Sequence, residues 1–456
     1  MQEERCQVLI IGAGPGGYVC AIRAGQLGLD TIVVEQASPG GTCLNVGCIP
    51  SKALIHAADE FHKAIRFSDE NPLGISAGPP TIDMGKTQHW KDGIVSRLTQ
   101  GVAGLMKKAG ARLLEGEAQI LDGKTVRLDA ANGPIRVTCD NLVVATGSCP
   151  ANLPTLPFGG KVISSTEALA MTEVPRDLAV VGGGYIGLEI GTAMAKLGAK
   201  VTVIEADRQL LPQYDAALTR PVEARLKELG VTLHLDTKAR GLSETGDLVI
   251  ETPTGVEEVS AEAILLAIGR TPNTQGFGLE ALGLTMSGAH IATDEKGSTS
   301  MRGVYAVGDV TGDPMLAHRA MAQGVVVAEH LAGMPSVWDK RAMPAVCFTD
   351  PEVVSVGDMP SDANISAVFP FAANGRAMTI ERTDGFVRIV HDHETGLVLG
   401  MQAVGAGVSE LASEFALAIE MCATVTDVAE TIHAHPTLGE TVQETGHLSL
   451  GHSLHI

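Results

Sequence analysis

Residues 7–36, QVLIIGAGPGGYVCAIRAGQLGLDTIVVEQ, decide how this chain folds. An apolar strand runs from Val8 to Ile11 into a glycine-rich turn. A helical pattern follows through Leu27, then a second apolar strand that ends at Glu35. The glycines Gly12, Gly14 and Gly17 give G-x-G-x-x-G in its strand–turn–helix setting, which lets a backbone approach a pyrophosphate at a helix N-terminus. Glu35 stands where a carboxylate accepts hydrogen bonds from a ribose. The unit returns at residues 177–207, DLAVVGGGYIGLEIGTAMAKLGAKVTVIEAD, with Gly182, Gly184, Gly187 and, at the strand end, Glu205. Two full fingerprints imply two dinucleotides, most economically a flavin and a nicotinamide between which hydride passes.

Working outward, residues 81–110 read as one long helix. NLVVATGSCP and AILLAIGRTPN each read as a strand ending in a turn, and Thr146, Gly147 and Gly269 put small residues where a cofactor approaches. GVYAVGDVTG is a further strand with Asp309 just past its end. That carboxylate either takes a polyol hydroxyl or caps the segment that follows. From Ala345 the texture changes to strands (AVCFTD, VVSVG, GFVRIVHD, LVLGMQAVG) and then two helical patterns, the order of an α+β unit. The whole is α/β: two Rossmann-like dinucleotide-binding domains and a C-terminal α+β domain.

Composition agrees and excludes. Gly numbers 53 and aromatic residues only 3%, as suits buried parallel strands. A net charge of −20 argues against nucleic acid and anionic membranes. No apolar run is long enough to span a bilayer. The polar start, MQEERC, does not read as a leader, so a cytoplasmic location is expected, with a matrix location after leader removal left open. Eight cysteines are too few for a disulfide scaffold, and Cys20, Cys139 and Cys347 fall in core-like contexts.

Only Cys43 and Cys48, in GGTCLNVGCIPSKAL (residues 40–54), form a close pair. A disulfide across so short a loop removes little chain entropy. Zinc would need companion ligands that are missing, so no metal site is expected. A redox dithiol beside a flavin is left. On a regular helix, residues five apart have Cα atoms about 8.6 Å apart, whereas a disulfide needs less than about 7 Å. The helix must therefore be irregular between the two, and Pro50, which cannot donate to Val46, favours the break. Thiol exchange needs a base. HAHPTLGE offers His435, extended before Pro436, with Glu440 placed to orient it; His433 competes. Lys52 either approaches the flavin or is a solvated helix lysine. Glu189 either pairs with Lys52 or faces the nicotinamide.

Together GGTCLNVGCIPSKAL, GGGYIGLE, GVYAVGDV, AHRAMAQG and HPTLGE, in this order along essentially the whole chain, resemble the pyridine nucleotide–disulfide oxidoreductases, specifically their dihydrolipoamide-dehydrogenase branch. GQLGLDTIVVEQ and SKALIHAADEFHKA look closest to its branched-chain 2-oxoacid complex type. The resemblance implies an FAD-binding part at 1–148 with the dithiol, an NAD-binding domain at 149–272, a second FAD-binding part at 273–344 with Ala317 at the flavin, and a dimerisation domain at 345–456. It implies exchange at Cys43, Cys48 against the flavin ring, and proton transfer by His435 with Glu440. It implies a homodimer in which one subunit's histidine serves the other's dithiol. The implied partner is a lipoyl domain of a 2-oxoacid dehydrogenase complex, or the glycine cleavage carrier. Cys347 and Phe348 depart from an aromatic run common in the family. Glu205 would repel a 2′-phosphate, favouring NAD over NADP and disfavouring the rival, an NADPH-dependent glutathione reductase-like enzyme.

Overall fold

Val8 to Ile11 are apolar without alternation because their strand is covered on both faces; all four are at most 5% exposed. The computed structural model describes residues 1–456. This first strand is longer than its apolar run, Gln2–Ile11, because residues 2–6 pair in parallel with residues 135–139. It lies between Thr31–Glu35 and Gly133–Val144 in a seven-stranded sheet, with Arg112–Glu115 beyond the former and the antiparallel strands Thr125–Ala130 and Glu117–Asp122 beyond the latter. The chain returns to this sheet late, when Val304–Ala306 pairs in parallel with residues 142–144.

Helix α1 (Pro15–Gln26) follows the first glycine turn; α2 (Gly41–Asn45), α3 (Cys48–Arg66) and α4 (Met84–Lys108) follow the second strand. A Cβ on Gly12, at φ +99°, would lie 2.3 Å from the Ala145 carbonyl oxygen, so only glycine permits this turn.

The second unit is a five-stranded parallel sheet in the spatial order 232–234, 200–204, 177–181, 263–266, 162–163. It carries α5 (Ser165–Leu169), α6 (Tyr185–Lys196) and α7 (Ala216–Glu228). Its entry and exit segments, Ser148–Pro150 and Arg270–Pro272, pair with each other, so the unit hangs on a two-stranded stem. Helix α8 (Ala317–Leu331) then packs on α1 where two glycines meet: a Cβ on Gly324 would lie 2.5 Å from the Gly16 carbonyl oxygen.

The C-terminal unit is a five-stranded antiparallel sheet backed by helices that include Ala412–Glu420 and Glu440–Ser449. Four of its strands coincide with apolar runs in the sequence. The fifth, Asn364–Pro370, is an edge strand that buries Ala367 and Phe369 but leaves the apolar Ile365 and Val368 exposed, so its sequence carries no clear period.

The second and C-terminal units meet at buried Asp350. Its carboxylate accepts from Lys196 on α6 at 2.7 Å, Arg225 on α7 at 3.1 Å and Arg382 at 2.5 Å. Burial pushes its pKa up, but these three cations outweigh burial and hold it well below the ordinary value of 3.8. A depressed carboxyl stabilises the fold above that ordinary value and loses its contribution as the pH falls below it. Asp350→Asn removes the carboxylate that the three cations share but leaves each a second one, Asp59 for Lys196, Glu228 for Arg225 and Asp384 for Arg382, and is expected to cost about 3 kcal/mol. Denaturant unfolding of the holoprotein checks this, and the gap to the parent should narrow below pH 3.8.

Candidate active site

Both glycine turns are built to receive phosphates. Neither α1 nor α6 has a side-chain N-cap, so their first N–H groups are free for a ligand. Gly17 and Gly187 press on the carbonyls of Gly12 and Gly182, where a Cβ would lie at 1.9 and 2.2 Å. A Cβ at Gly184 would meet nothing within 4 Å, which marks the open side of the second turn. Glu35 accepts from the N–H groups of Ala13 (2.8 Å) and Ala37 (3.0 Å). Glu205 does the same with Gly183 (2.5 Å) and Asp207 (2.8 Å). In both units the strand-end carboxylate is thus fixed beside the turn with acceptor capacity to spare, as a ribose diol requires.

Around the first turn, Thr146 and Gly147 are tied to Asn273: the Thr146 hydroxyl donates to the Asn273 carbonyl at 2.7 Å, and the Asn273 N–H donates to Gly147 at 2.9 Å. Asp309 opens a short 3₁₀ turn and accepts from the Ser148 hydroxyl, which itself accepts from Arg270 at 2.7 Å. Ser148 and Arg270 escaped the sequence reading; their proximity comes from the two-stranded stem. Ala317 is the first residue of α8, whose N-terminus also lacks a side-chain cap. Gly269, at φ +127°, has open space where a Cβ would stand. Uncapped helix starts, glycine turns and strand-end acids in duplicate fit one FAD and one NAD.

The dithiol is attached directly to the first turn. The Gly40 N–H donates to the Ala13 carbonyl at 2.7 Å, and a Cβ on Gly41 would lie 2.6 Å from Gly14 Cα. The helix is interrupted as the spacing of the cysteines demands: α2 stops at Asn45, Val46 and Gly47 leave helical geometry, and α3 begins at Cys48. Gly47 is required by contact, since its Cβ would lie 2.8 Å from the Thr42 carbonyl. Pro50 falls in the first turn of α3, where its missing N–H costs nothing.

Both thiols are free and close enough to influence each other. Their mutual influence pulls Cys48 down to about 7, assisted by Lys52, and pushes Cys43 up. Cys48 also heads α3, where the helix dipole favours an anion. The remaining cysteines divide cleanly. Cys6, Cys20, Cys139 and Cys347 are buried, with burial pushing their thiols up, whereas Cys149 and Cys422 are exposed and stand apart from the pair.

Lys52 and Glu189 pair at 2.7 Å. The second Glu189 oxygen accepts from the Phe348 N–H at 3.0 Å, and the Lys52 ammonium lies 4.3 Å from the centre of the Phe348 ring. The departure from the family's aromatic run therefore falls on a residue that touches the site.

His435 donates from Nδ1 to Glu440 at 2.8 Å, and the other Glu440 oxygen accepts from the Thr437 N–H at 2.8 Å. Burial pushes Glu440 up, but Thr437 and His435 outweigh it, so the carboxyl is ionised and fixes the His435 proton on Nδ1, leaving Nε2 basic. His433 is spent: its ring nitrogens bond Glu414 (2.7 Å) and the Thr431 carbonyl (2.8 Å). The structure gathers Cys43, Cys48, Lys52 and Glu189 in one place and His435 with Glu440 in another. No hydrogen bond or ion pair within the chain joins the two groups, and the His435 side chain is 80% exposed.

Comparison with known proteins fits this division. Residues 6–324 match the pyridine nucleotide-disulphide oxidoreductase family, and residues 343–445 match that family's dimerisation domain. The chain is 54% identical to a dihydrolipoyl dehydrogenase of Pseudomonas aeruginosa, covering 100% of both chains. It is 44% identical to one of Bacillus subtilis, covering 98% of this chain and 97% of that protein. Among solved structures, LpdA of Mycobacterium tuberculosis superposes with a TM-score of 0.89 at 28% identity, over 98% of this chain and 99% of that one.

The thiol asymmetry is measurable. Thiolate absorbance of the reduced protein should rise with a midpoint near 7, the value set for Cys48. Lys52→Met removes the assisting cation and leaves Glu189 as an unpaired anion, so the midpoint should move up by about one unit.

Proposed function

The chain belongs to the pyridine nucleotide-disulphide oxidoreductase family, and from that premise we propose that it oxidises protein-bound dihydrolipoyl groups to lipoyl groups with NAD⁺, as the flavoprotein component of a 2-oxoacid dehydrogenase complex. Its cofactors are FAD and NAD. The observation that carries the reading is the unequal thiol pair at a helix break, anchored to one dinucleotide turn and linked through Lys52 and Glu189 to the helix that follows the other. When bound, FAD supplies the two-electron link between the dithiol and NAD⁺.

The protein's own groups account for the thiol chemistry. Starting from the Cys43–Cys48 disulfide, His435 Nε2 takes the proton of one dihydrolipoyl thiol. The resulting thiolate attacks Cys43 Sγ, the Cys43–Cys48 bond breaks, and Cys48 departs as the thiolate that its low pKa favours. The second substrate sulfur then closes on the first and breaks the mixed disulfide; as it does so the imidazolium gives its proton to the departing Cys43 Sγ and takes up the proton of that second thiol, and lipoyl is released. Cys43 is left as thiol and Cys48 as thiolate. Glu440 holds the imidazole tautomer throughout.

The match of residues 343–445 to a dimerisation domain supports a homodimer. In the proposal the base at each dithiol is His435 of the partner subunit, a reading supported by its exposure and by its separation from the dithiol within one chain. Domain limits near 148, 272 and 344, a lipoyl-domain partner and a cytoplasmic location belong to the same reading; no helix is long and apolar enough to cross a membrane.

Dimers formed from one Cys43→Ser chain and one His435→Ala chain test the shared site. They should recover about half the parent activity, because one dithiol then faces an intact base; if each chain used its own histidine they would be inactive. Glu440→Gln should lower kcat by about 10²-fold. Steady-state rates with dihydrolipoamide should favour NAD⁺ strongly over NADP⁺, and the reverse preference would defeat the role given to Glu205.

A further inference from the structure

Helix α3 carries Lys52 and Asp59, seven residues apart, and α6 carries Glu189 and Lys196, also seven apart. Lys52 bonds Glu189 at 2.7 Å, and Asp59 bonds Lys196 at 2.5 Å. Seven residues span two turns, about 10.5 Å along an axis. The helices therefore lie parallel and are joined by two rungs at equal intervals, with the charges exchanged between rungs. Sliding either helix by one interval would oppose Lys52 to Lys196, or Asp59 to Glu189. The pattern fixes register by repulsion as well as attraction.

The C-terminal unit closes both rungs from one extended segment. The Phe348 N–H reaches Glu189 at 3.0 Å, and the Asp350 carboxylate reaches Lys196 at 2.7 Å. Both rungs are buried on the α6 side and open on the α3 side: Glu189 and Lys196 are 4% and 7% exposed, Lys52 and Asp59 33% and 37%, and Asp350, 8% exposed, covers Lys196 further. A buried lysine held by two carboxylates costs desolvation and is weak evidence for stability. What it supplies here is position, because Lys52 is the cation beside Cys48 and its place depends on how α6 presents Glu189.

We propose that Lys196, with Asp59, is a positioning pair for the redox site: the far rung locks α3 against α6 so that Lys52 keeps its place beside Cys48. The pair touches neither thiol and acts only through the near rung. The inference rests on the dithiol–flavin reading above. The groups that bear on the Cys48 thiol are Cys43, Lys52, Glu189 and Tyr185, while Asp309 and Tyr18 bear on Cys43.

The test uses the full-length FAD-loaded dimer, reduced anaerobically with dihydrolipoamide, and follows the pH midpoint of the thiolate-to-flavin charge-transfer band. Lys196→Met and Asp59→Asn should each raise that midpoint by about half a unit, and should slow reduction by dihydrolipoamide by about 10-fold. Lys196→Arg should restore the parent midpoint. In the Lys52→Met background, Lys196→Met should move the midpoint no further, because its route is already cut. An unchanged midpoint in both single variants, or a full additional shift in the double variant, overturns the proposal. If Lys196→Met does not fold, Asp59→Asn alone and in the Lys52→Met background decides on the same criteria. A parent protein with no band at any pH would instead contradict the dithiol–flavin reading itself.

Discussion

Two thiols five residues apart cannot meet on an unbroken helix, and this constraint organises the centre of the molecule. The chain resolves it with Val46 and Gly47, which stop one short helix and let another start at Cys48. The new helix start puts free N–H groups and a positive dipole at one sulfur only. Lys52, one turn further along, adds a charge to the same side. The two cysteines therefore differ chemically although they are close in sequence. One is suited to leave as an anion and the other to exchange.

The same segment is held from below by the first dinucleotide turn, through Gly40 to Ala13 and Gly41 against Gly14. Turn and dithiol are thus one piece of structure, and a group bound by the turn has a fixed relation to the sulfurs. The second dinucleotide unit is mounted separately, on a two-stranded stem, and joins the redox helix through ion pairs rather than continuous backbone. Asp350 and Phe348 bring the C-terminal unit into that junction. The exposed histidine–glutamate pair belongs to this third unit, so the unit that carries the proposed base also braces the redox helix.

The fold was legible because each dinucleotide unit announces itself by a local pattern, an apolar run, a glycine turn and an acid at fixed spacing. The interruption near Gly47 was legible for a different reason: it follows from bond geometry and the cysteine spacing alone. His435 was preferred over His433 from Pro436, Glu440 and the family resemblance; what the sequence could not supply is why His433 is spent, because its partner Glu414 lies on a separate helix. The Lys52–Glu189 pair stood as one of two alternatives that pattern alone could not decide, since 137 residues separate them. Phe348 was noticed only as a departure from the family's aromatic run, and Ser148, Arg270, Asp350 and Lys196 went unread. Their roles come from contacts between units, and no periodicity records those. Edge strand Asn364–Pro370 was invisible because apolar Ile365 and Val368 on its exposed side blur the alternation that buries Ala367 and Phe369.

The account stands on two sulfurs that open and close against a bound flavin and pass their electrons on to nicotinamide. The most direct measurement is stepwise anaerobic addition of dihydrolipoamide to the purified holoprotein, followed by NAD⁺, with the visible spectrum recorded at each step. The account requires a long-wavelength band to grow to completion with one equivalent of dithiol per subunit and to vanish when NAD⁺ is added. Bleaching of the flavin without that band, or a band that NAD⁺ leaves untouched, would contradict it.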